Sequence, residues 1–132
     1  MQVLQPPGWP RPKGYSNGVS VPAGGRMVFL AGMVGWNAEE TFESDNFADQ
    51  VRQALTNIVV TLKEAGAGPE HIVRMTWFIG SRDEYNAQQA EIGAAYRDVI
   101  GRNFPPMAVI QVKGFVEDGA KLEIEATAVV PA

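Results

Sequence analysis

Two carboxylates, Glu123 and Glu125, sit inside the apolar run Lys121-Leu122-Glu123-Ile124-Glu125-Ala126. Period-two alternation sends Leu122, Ile124 and Ala126 to one face of a strand and both glutamates to the other. If that second face is covered, at least one glutamate lies in an interface or pocket. An unpaired charge is costly there, and its pKa rises. A carboxylate placed in this way can move a proton or orient a water. The alternative is a solvated strand end or a structural ion pair, and spacing alone favours that alternative.

Other chemistries find little support. The chain has no cysteine, which removes thiolate nucleophiles, thiolate metal sites and disulfides together. Its one histidine, His71, stands just ahead of a strand, and no Gly-x-Ser-x-Gly elbow accompanies it. His71 therefore reads as a surface or strand-start residue. No His-x-x-x-His, carboxylate-rich loop or thiolate pair suggests a metal, so neither metal nor cofactor is expected. Gly66-Ala67-Gly68 suits a helix end better than a phosphate loop. Trp9, Trp36 and Tyr15 lie in an arm and in loops, where aromatics can line pockets or interfaces.

Helices and strands must position these residues. Pro6, Pro7, Pro10 and Pro12 mark residues 1–14 as an extended arm. Ser20 to Val21 reads as a short strand entering the turn at Gly24-Gly25, and Met27 to Val34 as a second strand. The segment from Gly35 to Asn46 is polar and reads as a loop. Phe47, Val51, Ala54, Leu55, Ile58, Val59 and Leu62 form one helical face, capped by Asp45 or Asn46 and ended by Gly66 or Gly68. Ile72 to Ile79 is a strand. Ser81-Arg82-Asp83-Glu84 is a capping box opening a second helix with Tyr85, Ile92, Tyr96, Val99 and Ile100 on one side. Two further strands, Met107 to Val112 and Leu122 to Val130, flank a turn at Glu117-Asp118-Gly119. The order β-β-α-β-α-β-β predicts an α+β fold, one mixed sheet with two helices on one face.

Strands covered on both faces read as unbroken apolar runs. In Met27 to Val34 both parities are apolar, and Met107-Ala108-Val109-Ile110 behaves alike. Two helices cover one face only, and 132 residues leave nothing for the other. A neighbouring subunit is the expected cover; the simpler alternative is a mildly apolar exposed surface.

Composition bounds the rest. The length fits one domain, residues 1–132, with the arm at its start. At 45% apolar and 20% charged residues the chain is ordinary globular material. The start lacks the basic and apolar regions of a signal peptide, and no apolar run approaches the ~20 residues that span a bilayer. With no cysteine as well, a cytoplasmic location and no membrane partner are expected. A net charge of −4 with scattered lysines and arginines argues against nucleic acid as a partner.

Several segments, in order and spacing, resemble the RidA/YjgF family of imine and enamine deaminases. They are Gly14-Tyr15-Ser16-Asn17-Gly18-Val19, Val28-Phe29-Leu30-Ala31-Gly32, Gln50 to Ile58, Leu62 to Ala67, His71 to Ile79, Phe104-Pro105-Pro106-Met107-Ala108 and Leu122 to Val129. The resemblance implies a chorismate-mutase-like fold and a homotrimer with small-molecule pockets between subunits. It also implies hydrolysis of 2-imino or 2-enamino acids to 2-keto acids and ammonia without metal or cofactor. The family's Tyr is matched by Tyr15, its backbone donor by Gly32 and its strand glutamate by Glu123. Three positions differ. Ala31 stands where the family has serine, Gly93 where a helix asparagine falls, and Met107 where an arginine binds the substrate carboxylate. Trp36, Pro105 and Val109 complete the expected lining.

Arginine holds a carboxylate through two parallel charge-assisted bonds, and methionine offers none. Leaving a buried carboxylate unpaired costs about 2–5 kcal/mol. Three readings follow: a deaminase for a larger or less acidic enamine such as a 2-aminomuconate, with Arg11 or Lys13 supplying charge; a trimer that binds a metabolite without turnover; or another hydrolase on the same scaffold.

Overall fold

The computed structural model describes all 132 residues. Its elements are β1 (Gln2–Val3), β2 (Val19–Ser20), β3 (Arg26–Phe29), β4 (Met33–Val34), α1 (Phe47–Glu64), β5 (Ile72–Ile79), α2 (Arg82–Ala87), α3 (Gln89–Val99), β6 (Met107–Gln111) and β7 (Leu122–Val130). The main sheet runs β3-β7-β5-β6, with β4 also on β7; β6 is parallel to β5 and the other pairings are antiparallel. This is the expected α+β arrangement, with a mixed sheet and the helices on one face.

The core lies between that face and the helices. Val51, Leu55, Ile58 and Leu62 of α1 are fully buried against Met75, Trp77 and Ile79 of β5 and Leu122, Ile124 and Ala128 of β7. Burying each large aliphatic side chain is worth roughly 1.5–3 kcal/mol. Asn46 is the N-cap of α1, its side chain accepting from the Asp49 amide at 3.1 Å, a cap worth about 1 kcal/mol. Gly66, at φ +68, turns the chain out of the helix. No helix is long and apolar enough to cross a membrane.

Three expectations change. The arm is not simply extended, because Gln2 and Val3 pair with Ser20 and Val19 in a two-stranded sheet of their own. The second helix is two helices, broken at Gln88, whose Oε1 accepts the Ala48 amide at 2.9 Å. That bond satisfies one of the free donors at the start of α1. The strand read as Met27 to Val34 is interrupted. Residues 30–32 oppose only Ala126 and Glu125, because Phe29 pairs with Thr127 while Met33 pairs with Ile124. The extra residue is a bulge. It reverses the alternation, so Val28 and Leu30 before it and Met33 after it all pack on the core. Part of the unbroken apolar run thus reflects this reversal.

The other face of the sheet is open in the single chain. Met27 and Phe29 of β3 are 58% and 71% exposed there, and Ile110 of β6 is 47% exposed.

Candidate functional site

Most of the residues singled out in the sequence fall into two groups on opposite faces of the sheet. Glu123 pairs across β7–β5 with Phe78, one step from the Ile124–Trp77 pair that enters the core. Its side chain therefore belongs to the open face, where it is half-buried. Glu123 enters no ion pair and no side-chain hydrogen bond within the chain. Glu125, on the same face, is exposed.

Ala31 and Gly32 form the bulge beside it. A β-carbon at Gly32 would stand 2.6 Å from Glu123 Oε2 and 2.8 Å from its carboxyl carbon. Only glycine lets the carboxylate lie this close to the backbone. The Gly32 amide has no partner among the turn, loop and side-chain hydrogen bonds. A carboxylate and a free N–H thus sit together, an acceptor and a donor for one small polar group.

The second group lines a cavity of about 550 Å³ on the helix face. Its floor is strand: Met107 is in register with Met75, and Val109 with Trp77, so both point to the helix side. Its wall is helix, with Tyr85, Gln89, Ile92, Gly93, Tyr96 and Arg97. Its rim is the arm. Ser16 donates through its amide to the Pro105 carbonyl at 3.3 Å and through its hydroxyl to the Phe104 carbonyl, which holds Lys13, Gly14 and Tyr15 over the opening. Pro105 is buried behind this anchor and does not line the cavity.

The aromatic part of the wall is braced by its own contacts. Tyr96 stacks on Phe104 with centroids 5.7 Å apart and planes 10° from parallel. The Tyr96 hydroxyl donates to the Asn103 carbonyl, and burial pushes its pKa well above the ordinary phenol range. Tyr96 therefore stays protonated at working pH and serves as wall and hydrogen-bond anchor, not as an acid.

Trp36 joins neither group. It packs on Phe42 with centroids 5.7 Å apart, and its carbonyl accepts Asn57 Nδ2 at 2.7 Å, so it fixes the loop to α1. Arg11 does not line the cavity, whereas Lys13 does. His71 closes a turn, its Nδ1 accepting the Gly68 amide at 3.0 Å. No three His, Asp or Glu side chains come together as a metal site would need.

Sequence reading missed Trp77, Tyr96, Phe104 and Arg97 as cavity residues. Trp77 and Tyr96 were legible as apolar core positions, and nothing in the pattern separated wall from core. Arg97 had a weak signal: it lies four residues after Gly93, hence on the same strip of helix.

Comparison with known proteins places this arrangement. Residues 10–130 match the family described as endoribonuclease L-PSP. A human protein named 2-iminobutanoate/2-iminopropanoate deaminase is 28% identical over 116 residues, covering 87% of this chain and 79% of its own. A RutC family protein of Aquifex aeolicus is 30% identical across 98% of this chain and 99% of its own. The crystal structure of YyfB from Yersinia pestis, described as a protein of unknown function of the conserved Rid family, superposes with a TM-score of 0.81. It is 30% identical, and 98% of each chain is covered.

Proposed function

The chain belongs to the endoribonuclease L-PSP family, the RidA/YjgF family of the sequence resemblance, and from that premise we propose that it is a cofactor-independent enamine or imine deaminase with an altered substrate range. The observation that carries this reading is the division of the candidate site between two faces. The Glu123 carboxylate and the Gly32 amide lie on one, and the lined cavity lies on the other. Within one chain they cannot meet, because β5 separates β7 from β6 and the side chains leave the sheet in opposite directions. A second copy laid against the open apolar face would bring one subunit's Glu123 to its neighbour's cavity. A closed homotrimer repeats that seam three times.

In such a seam, Glu123 takes a proton from water as the oxygen adds to the carbon of a C=N bond. The same proton passes to nitrogen. The carbinolamine then collapses as its hydroxyl proton passes to nitrogen through the same carboxylate, breaking the C–N bond and releasing ammonia and a carbonyl compound. An enamine first becomes the imine by gaining a proton on carbon and losing one from nitrogen. The balance is one imine and one water in, one carbonyl and one ammonia out. Positioned acid–base catalysis of this kind contributes roughly 10²–10⁴-fold.

Met107 shapes the substrate range. It offers no donor to a carboxylate, so a small 2-iminoacid loses about 2–5 kcal/mol of binding relative to a site with arginine there. A larger, extended enamine such as 2-aminomuconate could draw compensating binding from the rest of a cavity of about 550 Å³. The mostly apolar wall also favours a second reading, a trimer that binds a small metabolite without turning it over.

Ammonia release from freshly generated 2-aminoacrylate and from 2-aminomuconate tests both. Release from the larger substrate, abolished in Glu123→Gln, supports the deaminase. Turnover of aminoacrylate at the rate of an arginine-bearing relative would overturn the role given to Met107. Binding without any release would favour the second reading.

A further inference from the structure

The cavity carries an electrostatic bias that the deaminase reading does not use. The chain has 15 acidic and 11 basic residues, yet no aspartate or glutamate is among the cavity's lining residues, while Lys13 and Arg97 both are. Neither cation is engaged. The chain's ion pairs are Arg52–Asp98, His71–Glu70 and Lys121–Glu84, and neither Lys13 nor Arg97 donates a side-chain hydrogen bond. The two come from different elements, the arm and the last turn of α3, and converge at one opening.

Gly93 leaves open the strip of helix beside Arg97. Side chains on a helix lean toward its N-terminus, so Arg97 lies back over position 93. Its Nη1 stands 3.4 Å from where a Gly93 β-carbon would be. An asparagine or larger residue at 93 would occupy that strip of helix surface. Glycine leaves it to the guanidinium.

Behind the cations the walls are apolar and aromatic, with Trp77, Ile92, Tyr96, Phe104 and Met107. Trp77 is 3% exposed, and its Nε1 is the one buried side-chain polar atom in the chain without a hydrogen-bond partner. A buried donor left unpaired is unfavourable, and an acceptor entering the cavity is a natural remedy. About 550 Å³ is within the range of sites for ring-bearing ligands and generous for a three-carbon acid.

The geometry points to a cavity that selects a carboxylic acid with a ring-sized apolar body, its carboxylate held at the rim by Arg97 and Lys13. This rests on the proposed role of the cavity as the substrate side of the site, and it names the class of substrate. Arg97 and Lys13 serve here as binding residues, and neither takes part in the proton transfers assigned to Glu123.

Calorimetric titration of the assembled protein with 3-phenylpropanoate, its uncharged isostere 3-phenylpropanamide, and acetate tests this. The acid binds about tenfold or more tighter than the amide, as loss of one charge-assisted contact implies, and acetate binds weakest because it leaves the walls bare. The double variant Lys13→Gln/Arg97→Gln erases the difference between acid and amide while the affinity for the amide stays unchanged. Both residues are exposed, so the variant keeps its fold. Equal binding of acid and amide, an unaltered preference in the double variant, or no binding of the acid at millimolar concentration each overturns the inference. The titration needs no turnover. Acid-selective binding in a protein that releases no ammonia would sink the deaminase reading alone, and ammonia release without acid selectivity would sink this inference alone.

Discussion

Glu123 and Gly32 are neighbours of necessity: the carboxylate occupies the space where any side chain at residue 32 would begin, 2.6 Å from Oε2. The bulge at Ala31-Gly32 creates that closeness, since an unbroken β3–β4 ladder would turn the amide toward β7. Strand alternation and a one-residue insertion together build the polar corner.

Replacing Glu123 with glutamine keeps the shape and removes the base. On a substrate that the protein turns over, the expected loss is about 10²-fold or more in kcat, with the melting temperature little changed. Gly32→Ala displaces the carboxylate and should lower kcat similarly. An unchanged rate in Glu123→Gln would remove the residue from the mechanism.

The open face predicts assembly. Phe29, 71% exposed in the single chain, is the residue there most in need of cover. Sedimentation should find an assembly at micromolar concentration. Phe29→Glu, which buries an unpaired charge at the seam, should shift it toward monomer with the far-UV circular dichroism retained. A wild-type protein that sediments as a monomer would contradict the reading of the face.

Tyr96 predicts a pH dependence. Its folded pKa lies above the unfolded value of about 10, so its contribution is fully present below pH ~10. Above that, the unfolded chain releases the proton and the folded chain keeps it. Stability then falls by as much as about 1.4 kcal/mol per pH unit. Tyr96→Phe should cost about 1 kcal/mol at neutral pH and flatten that alkaline decline. Denaturant titrations of both proteins at pH 8 and above pH 10 measure the difference.

Gln50 predicts a stability loss with no bearing on catalysis. It is 1% exposed. Its Nε2 donates to the carbonyls of Ser44 at 3.0 Å and Gly119 at 2.9 Å, and its Oε1 accepts the Lys121 amide at 2.9 Å. Gln50→Ala strands three backbone groups and should destabilise the protein by about 3 kcal/mol or more. Equilibrium urea unfolding checks this.

Much of the fold was legible because it rests on local periodicity. The strands Ile72–Ile79 and Leu122–Val130 have the expected bounds, and α1 starts at its Asn46 cap. The serine of the Ser81–Glu84 box does accept the Glu84 amide, at 3.1 Å. The break at Gln88 was not legible, since it depends on a hydrogen bond to Ala48, forty residues away. Nor was the bulge, because apolar residues stand on both sides of it and hide the change of parity.

The sequence by itself determined the α+β class, the helix face of the core, and the place of Glu123 opposite Ile124. Each follows from chain-local alternation, capping or residue identity. Only the tertiary structure decided which of these residues share a space. Tyr15, Gly93, Met107 and Val109 gather with Arg97 and Trp77 in one cavity, while Gly32 joins Glu123 on the far side of the sheet. Strand order and register set that division. They arise from pairings between segments distant in the chain, which no local pattern encodes.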